Sequence, residues 1–286
     1  MEENWRYFHG LILILFLIKM KYPVVVVLTA CVNPNGMSYT VLQDADKRKQ
    51  QYVDALNYYL ENTRLPIVFI ENSNIDFSRE FQKWIDNGRL EYITFDGNSN
   101  FDKIKGKGYG EALMLLYCIK HSVKIRHCRY IIKVTGRLQV KNISKLASSK
   151  WLLLSNVWRC NVQNEESLAT TVFIASPKTI ETLLERHKEE ISEENRGHNW
   201  IENVLARAFV TDKDVKIKLL PFSYPPLFDA LSGTSQSKYV IYDEYTNTTD
   251  NLHYASLLMR KRGKWSQFFL LRALLYIAVL RKRTCK

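Results

Sequence analysis

Val24 to Thr29 (VVVVLT) constrains this chain more than any other stretch. Five apolar residues in a row leave no polar alternate face, so a strand built from them is buried on both sides. Its sheet must therefore be covered by helices on both faces, as in parallel α/β proteins. The run ends in Asn33-Pro34-Asn35-Gly36, a turn cluster that closes the strand.

The same alternation continues along the chain. A helix is expected from about Asp44 to Asn62, then a strand at Pro66–Glu71, a helix at Phe77–Asn87 stopped by Gly88, and a strand at Leu90–Phe95. A glycine-rich loop, Lys105 to Glu111 (KGKGYGE), leads into a helix from Glu111 to His121. Strands follow at Tyr130–Val134, Thr170–Ala175 and Val215–Leu220, with helices at Thr179–Glu194 and around Trp200–Leu205. The fold class this predicts is α/β, with a mainly parallel central sheet and helices on both faces.

Ligands of open α/β sheets bind at the carboxyl ends of the strands. Thr29 and Asn33 follow the first strand and Glu71 and Asn72 the second, where both turn chemistry and contacts to a base or ribose fit. Gly106, Gly108 and Gly110 let a backbone approach a phosphate, and Lys105 and Lys107 add positive charge beside a helix start, a combination suited to a diphosphate. The spacing G-x-G-x-G matches neither the P-loop nor the dinucleotide fingerprint. Lys133, Thr135, Gly136 and Arg137 arrive at the same edge from the fourth strand.

This order of elements, with a glycine-rich loop and helix before a strand that ends in a polar signature, resembles the nucleotide-sugar glycosyltransferases of the GT-A fold. The likeness is to single-domain enzymes of bacterial capsule and lipopolysaccharide synthesis, and covers roughly Tyr22 to Tyr245. Most such enzymes carry Asp-x-Asp after the fourth strand to hold a divalent metal. Here Thr135-Gly136-Arg137 stands in that place, and the literal Asp44-Ala45-Asp46 falls at a helix start, where acids complement the dipole. The resemblance therefore implies a nucleotide-sugar donor, no other cofactor and no metal, with basic residues neutralising the diphosphate.

The resemblance also implies a base on the acceptor side. Glu202 is the candidate and Asp229 the reserve; Trp200 suits stacking on an acceptor sugar, and Ser232 and Gly233 lie in an aromatic, Gly/Ser-bearing loop suited to an acceptor lid. The expected acceptor is a glycan or a lipid-linked glycan. The alternatives are a non-catalytic membrane-associated glycan-assembly protein and a basic nucleic-acid-binding protein. No groove-reading motif supports the latter, and no nucleic-acid partner is expected.

Of the net charge of +12, nine positive charges and no negative one lie between Arg260 and Lys286, leaving +3 for residues 1–259. The expected division is an apolar segment at 1–21, a transferase domain at 22–250 and a basic amphipathic tail at 251–286. The tail's apolar run, Phe268 to Leu280, has 13 residues and contains Arg272. A spanning helix needs about 20, so the tail reads as an interfacial helix on an anionic membrane surface. Five scattered cysteines fit a reducing compartment. The expected location is the cytoplasm, peripheral on the inner face of the cell membrane.

Overall fold

The valine run lies near the middle of a seven-stranded sheet, with both its faces buried. The structure is a computed structural model, and it describes residues 22–37, 39–99, 102–148, 154–194, 198–222, 224–229 and 244–284. In chain order its elements are β1 (Tyr22–Ala30), α1 (Ala45–Asn62), β2 (Ile67–Glu71), β3 (Leu90–Thr94), α2 (Gly106–His121), β4 (Cys128–Thr135), β5 (Gln139–Val140), β6 (Val157–Asn164) and β7 (Ser167–Ala175). These are followed by α3 (Pro177–His187), α4 (Ile201–Thr211), β8 (Lys218–Leu219), β9 (Phe228–Asp229), α5 (Glu244–Lys261) and α6 (Trp265–Thr284). The apolar segment expected at residues 1–21 lies outside the described residues.

The strand order is β3-β2-β1-β4-β7-β6-β8, with β5 and β9 forming a separate pair. β3, β2, β1 and β4 run parallel; β7 is antiparallel to β4 and β6, and β8 is parallel to β6. The fold is thus α/β with a mostly parallel sheet. Val25, Val27 and Ile131 face one apolar layer, formed with α2, α3, α4, α5 and Leu271 of α6. Val24, Val26, Leu28 and Ile132 face the other, which holds Tyr52, Leu56 and Tyr59 of α1 and the short helix Ile143–Ala147.

Local chemistry accounts for most of the boundaries. Asp44 caps α1 by accepting from the Lys47 amide at 3.1 Å, the role expected of an acid at a helix start. Ser176 caps α3 with Pro177 in its first turn. α3 ends at His187, short of the expected Glu194, because Lys188–Glu190 tightens into a 3₁₀ turn and Ile191 turns extended into the core. The expected helix at Phe77–Asn87 is a 3₁₀ turn, Ser78–Phe81, joined to a short helix, Gln82–Asp86. The expected strand at Val215–Leu220 shrinks to β8, and the Val215 carbonyl accepts from Arg262.

Two features were not expected. β6 pairs with β7 as a hairpin, and its own composition conceals it, because Arg159 and Asn161 interrupt the apolar pattern. Arg159 is nevertheless buried, donating to the Pro221 carbonyl at 3.1 Å. The expected tail boundary at 250 falls inside α5, which packs on β6: the Asn251 side chain accepts from the Val162 amide, and Ala255, Leu258 and Met259 are buried. Arg262, counted among the tail cations, is buried and donates to the Phe209 carbonyl in the last turn of α4 and to the Asp212 and Val215 carbonyls just beyond it.

The ends of α3 and α4 are tied by charge. His187 Nδ1 lies 2.6 Å from Glu190 Oε1 and Nε2 lies 3.0 Å from Asp212 Oδ1. Burial opposes the charge on His187, but the bonds to Glu190 and Asp212 outweigh it and raise its pKa above 6.5. A raised histidine stabilises the fold fully below its ordinary pKa and loses that contribution as pH rises through the native value. Thermal melts across this range should fall with rising pH, and His187→Gln should remove that part of the slope. An unchanged slope would place its origin elsewhere.

Candidate functional site

The carboxyl ends of β1, β2 and β4 lie together, with Ala30 opposite Glu71 and Thr29 opposite Thr135. α2 precedes β4 and runs back along the sheet, so its first turn comes to this edge. Most sequence-predicted residues meet here, but several are already committed to the fold.

Glu71, expected to contact the donor, is completely buried. Its Oε1 accepts from the Val32 amide at 3.0 Å, the Ser73 amide at 2.9 Å and the Ser73 hydroxyl; Oε2 accepts from the Ile75 amide at 3.0 Å and Thr94 Oγ1 at 3.2 Å. Five donors saturate a carboxylate, so Glu71 organises two loops and is not open to a ribose. Thr29 is buried too, donating to the Val134 carbonyl at 3.4 Å. Gly136 packs on that strand end: its amide donates to Thr29 O at 2.8 Å, and a Cβ there would stand 2.7 Å from the same oxygen. Its glycine serves a close backbone approach, not a ligand. Asn33 is exposed, with its side chain capping the Asn35 amide at 3.0 Å. Asn72 is buried with Oδ1 unpartnered among the described residues.

The glycine-rich segment is not a loop. Gly106 (φ +77°) begins α2, and Gly108 and Gly110 are buried within it. Gly108 sits against Ile201 of α4, where a Cβ would come within 3.2 Å. Its glycines therefore serve helix packing. A Cβ on Gly106 would stand 2.3 Å from Glu193 Cδ. Glu193 is buried and its carboxylate accepts from the Lys107 and Gly108 amides, the place where a phosphate was expected. Burial raises its pKa, while the nearby Lys107 and the two amides oppose the rise. Lys105 is likewise engaged, 2.5 Å from Glu189 Oε2 and over the Tyr109 ring. Lys107 is exposed.

Lys133 is also corrected: it is wholly buried, ion-paired with Glu111 of α2, and donates to the Thr170 carbonyl at 2.8 Å and Thr135 Oγ1 at 3.2 Å. Burial pushes its pKa down to about 7, and the negative charge of Glu202 acts against that. Glu202 sits in the first turn of α4, half-buried, accepting from Thr170 Oγ1 at 2.6 Å. Trp200, immediately before the helix, is 45% exposed. The approach to α4 is held by Ser192 N to Asn199 O at 2.9 Å and by Arg207, which donates to His198 O and Asn199 Oδ1. Glu202, Glu193, Lys107, Lys133 and Trp200 thus form one neighbourhood on the α2 side of the sheet.

Arg137 is half-buried where the chain turns over the edge, because Leu138 and Val140 belong to the opposite apolar layer. Lys107 and Arg137, expected to share one phosphate, stand in the first turn of α2 and two residues past the end of β4. Asp229 pairs with Gln139, two residues beyond Arg137. Ser232 and Gly233 lie outside the described residues.

Sequence reasoning passed over Glu193, Glu111, Arg48 and Lys103. Arg48 is buried and donates to the Cys31 carbonyl at 2.8 Å, fixing the turn after β1, while Lys103 donates to Asn98 Oδ1 at 3.1 Å, which in turn holds Asn33 O. Only the cluster Asp102-Lys103 before the glycines carried a local signal. Among the described residues, no three His, Cys, Asp or Glu side chains are grouped to hold a metal. A depression of about 520 Å³, lined by Thr63, Arg64, Leu65 and Ser148, lies at the far end of α1, away from this edge.

No protein-family model matches the chain, and no curated protein matches it. Among solved structures it is similar to 4-diphosphocytidyl-2C-methyl-D-erythritol synthase of Anaerococcus prevotii, with a TM-score of 0.38, 10% identity, and 81% of this chain and 96% of that one covered. A cytidylyltransferase of Leptospira borgpetersenii gives 0.40, 10%, 86% and 97%. TarS of S. aureus, solved with UDP, gives 0.38, 9%, 82% and 65%. At these scores the likenesses carry no argument about activity.

Proposed function

We propose that the chain is a glycosyltransferase that moves a sugar from a nucleotide-sugar donor to a glycan or lipid-linked acceptor in cell-surface polysaccharide synthesis, at the inner face of a membrane. The observation that carries this reading is the pairing of a positioned carboxylate, Glu202 held by Thr170 at 2.6 Å, with the exposed indole of Trp200 beside it, at the carboxyl edge of a mostly parallel sheet. Glu202 takes the proton of the acceptor hydroxyl as its oxygen bonds to the anomeric carbon. The bond from that carbon to the phosphate oxygen breaks, and its electron pair leaves with the nucleoside diphosphate. Lys107 and Arg137 meet the charge that develops there, in place of the amides that Glu193 holds.

The test is a thermal-shift panel of UDP-, GDP- and CMP-sugars, with and without chelator. A donor at a hundred times its Kd adds about 2.7 kcal/mol to stability, a shift of several degrees. If no donor moves the Tm and none is hydrolysed, the transferase reading fails. Binding or turnover abolished by chelator would overturn its metal-free form alone.

One observation favours a second reading, a non-catalytic glycan-assembly protein: Glu193 and Glu111 occupy the amides and the lysine that a diphosphate would use. Such a protein should rescue a deletion strain despite Glu202→Gln and Arg137→Ala, whereas an enzyme should not.

A further inference from the structure

From Phe268 to Leu280 α6 is apolar on most of its circumference, interrupted by Arg272, which lies 3.2 Å from His253 Nδ1 of α5, and the fold covers only one side of it. Phe268, Leu271, Leu275 and Ala278, spaced three and four residues apart, form the stripe that packs on the core, with Leu271 wholly buried. Gln267 anchors the start by donating to Leu219 O at 2.9 Å. On the other side Trp265, Phe269, Leu270, Tyr276, Ile277 and Leu280 face outward, with Phe269 64% and Tyr276 65% exposed. A helix apolar on most of its circumference ordinarily lies in a core, and contiguous exposed patches of this kind mark interaction surfaces.

Charge selects the occupant. From residue 260 to 286 there is no acid, while Arg260 and Lys264 are exposed before the apolar face and Arg281, Lys282 and Arg283 follow it in sequence. Two copies packed through this face would bring two such cationic segments together with no acid in either to offset them. An anionic lipid surface offers both an apolar layer and the opposite charge. No helix among the described residues is long and apolar enough to cross a membrane. With its inner stripe docked on the protein, α6 can lie only in the plane of the surface.

We infer that the outward face of α6 is a docking surface for an anionic lipid bilayer, in which Trp265, Phe269, Tyr276, Ile277 and Leu280 enter the headgroup boundary between cationic ends. This deepens the membrane part of the proposed function and rests on it, yet lipid binding needs no donor, so it can fail while the transferase reading stands, and the reverse. The test is co-sedimentation of the full chain with phosphatidylcholine vesicles, with and without about 30% phosphatidylglycerol. Binding is expected to the anionic vesicles and to weaken steeply with salt. Phe269→Asn and, separately, Ile277→Asn should each weaken it about tenfold, and Arg260→Gln with Lys264→Gln should weaken it about fivefold per cation. All of these positions are exposed, and an unchanged Tm verifies the fold in each variant. Equal binding to both vesicle types, no binding to either, or binding untouched by the substitutions would overturn the inference. So would sedimentation velocity showing a dimer that Phe269→Asn dissociates, which would give this face to a second copy.

Discussion

Lys133→Met is expected to cost about 3–5 kcal/mol, a large part of a typical domain's 5–15 kcal/mol. The ammonium is wholly enclosed, and removing it strands Glu111 without its partner and the Thr170 carbonyl without its donor. An uncompensated buried charge costs far more than the pair itself contributes. The double variant Lys133→Met with Glu111→Leu should therefore recover most of the loss, because it removes both charges. Denaturant unfolding of the two variants measures this directly. A single-variant loss below about 1 kcal/mol, the size of an exposed pair, would mean that Lys133 is not held in the interior. The native pKa near 7 lies below the ordinary 10.5, so the unfolded chain binds the extra proton between these values. The contribution of this site should thus grow as pH rises from 7 and be lost as pH falls through it, a slope absent from Lys133→Met.

Glu202→Gln should lower kcat by about 10²–10⁴ while leaving the donor-induced thermal shift intact. Glutamine keeps the Oε1 that accepts from Thr170, so the first turn of α4 has no reason to move; only the capacity to take a proton is lost. Thr170→Val, which removes the hydroxyl that aims the carboxylate, should give a smaller loss of kcat with little change in donor affinity. If Glu202→Gln retains full turnover, another group removes the proton, and Asp229 is the next to replace.

How much of this was legible depended on whether the deciding interaction was local. β1 could be read because five apolar residues in a row leave no alternative to burial, and the cap at Asp44 because its partner, the Lys47 amide, is three residues away. β6 could not, since Arg159 and Asn161 break its apolar pattern, and Arg159 is tolerated there only through a contact made elsewhere, the bond to Pro221. The glycines at 106, 108 and 110 read as a phosphate loop in the sequence, and in the structure they form a packed helix. What separates the two is the approach of Ile201 and Glu193, which no pattern near residue 106 foretells.

The sequence alone determined the parallel sheet around the valine run, the edge where the polar residues collect, and the place of Glu202 near the start of a helix beside Trp200, because periodicity, caps and turn residues act within a few positions. Only the tertiary structure decided which of those polar groups remain open to a ligand. Glu71, Lys133 and the amides at the start of α2 are taken by partners from other elements, since a buried charge or hydrogen-bonding group must find its complement wherever packing delivers one.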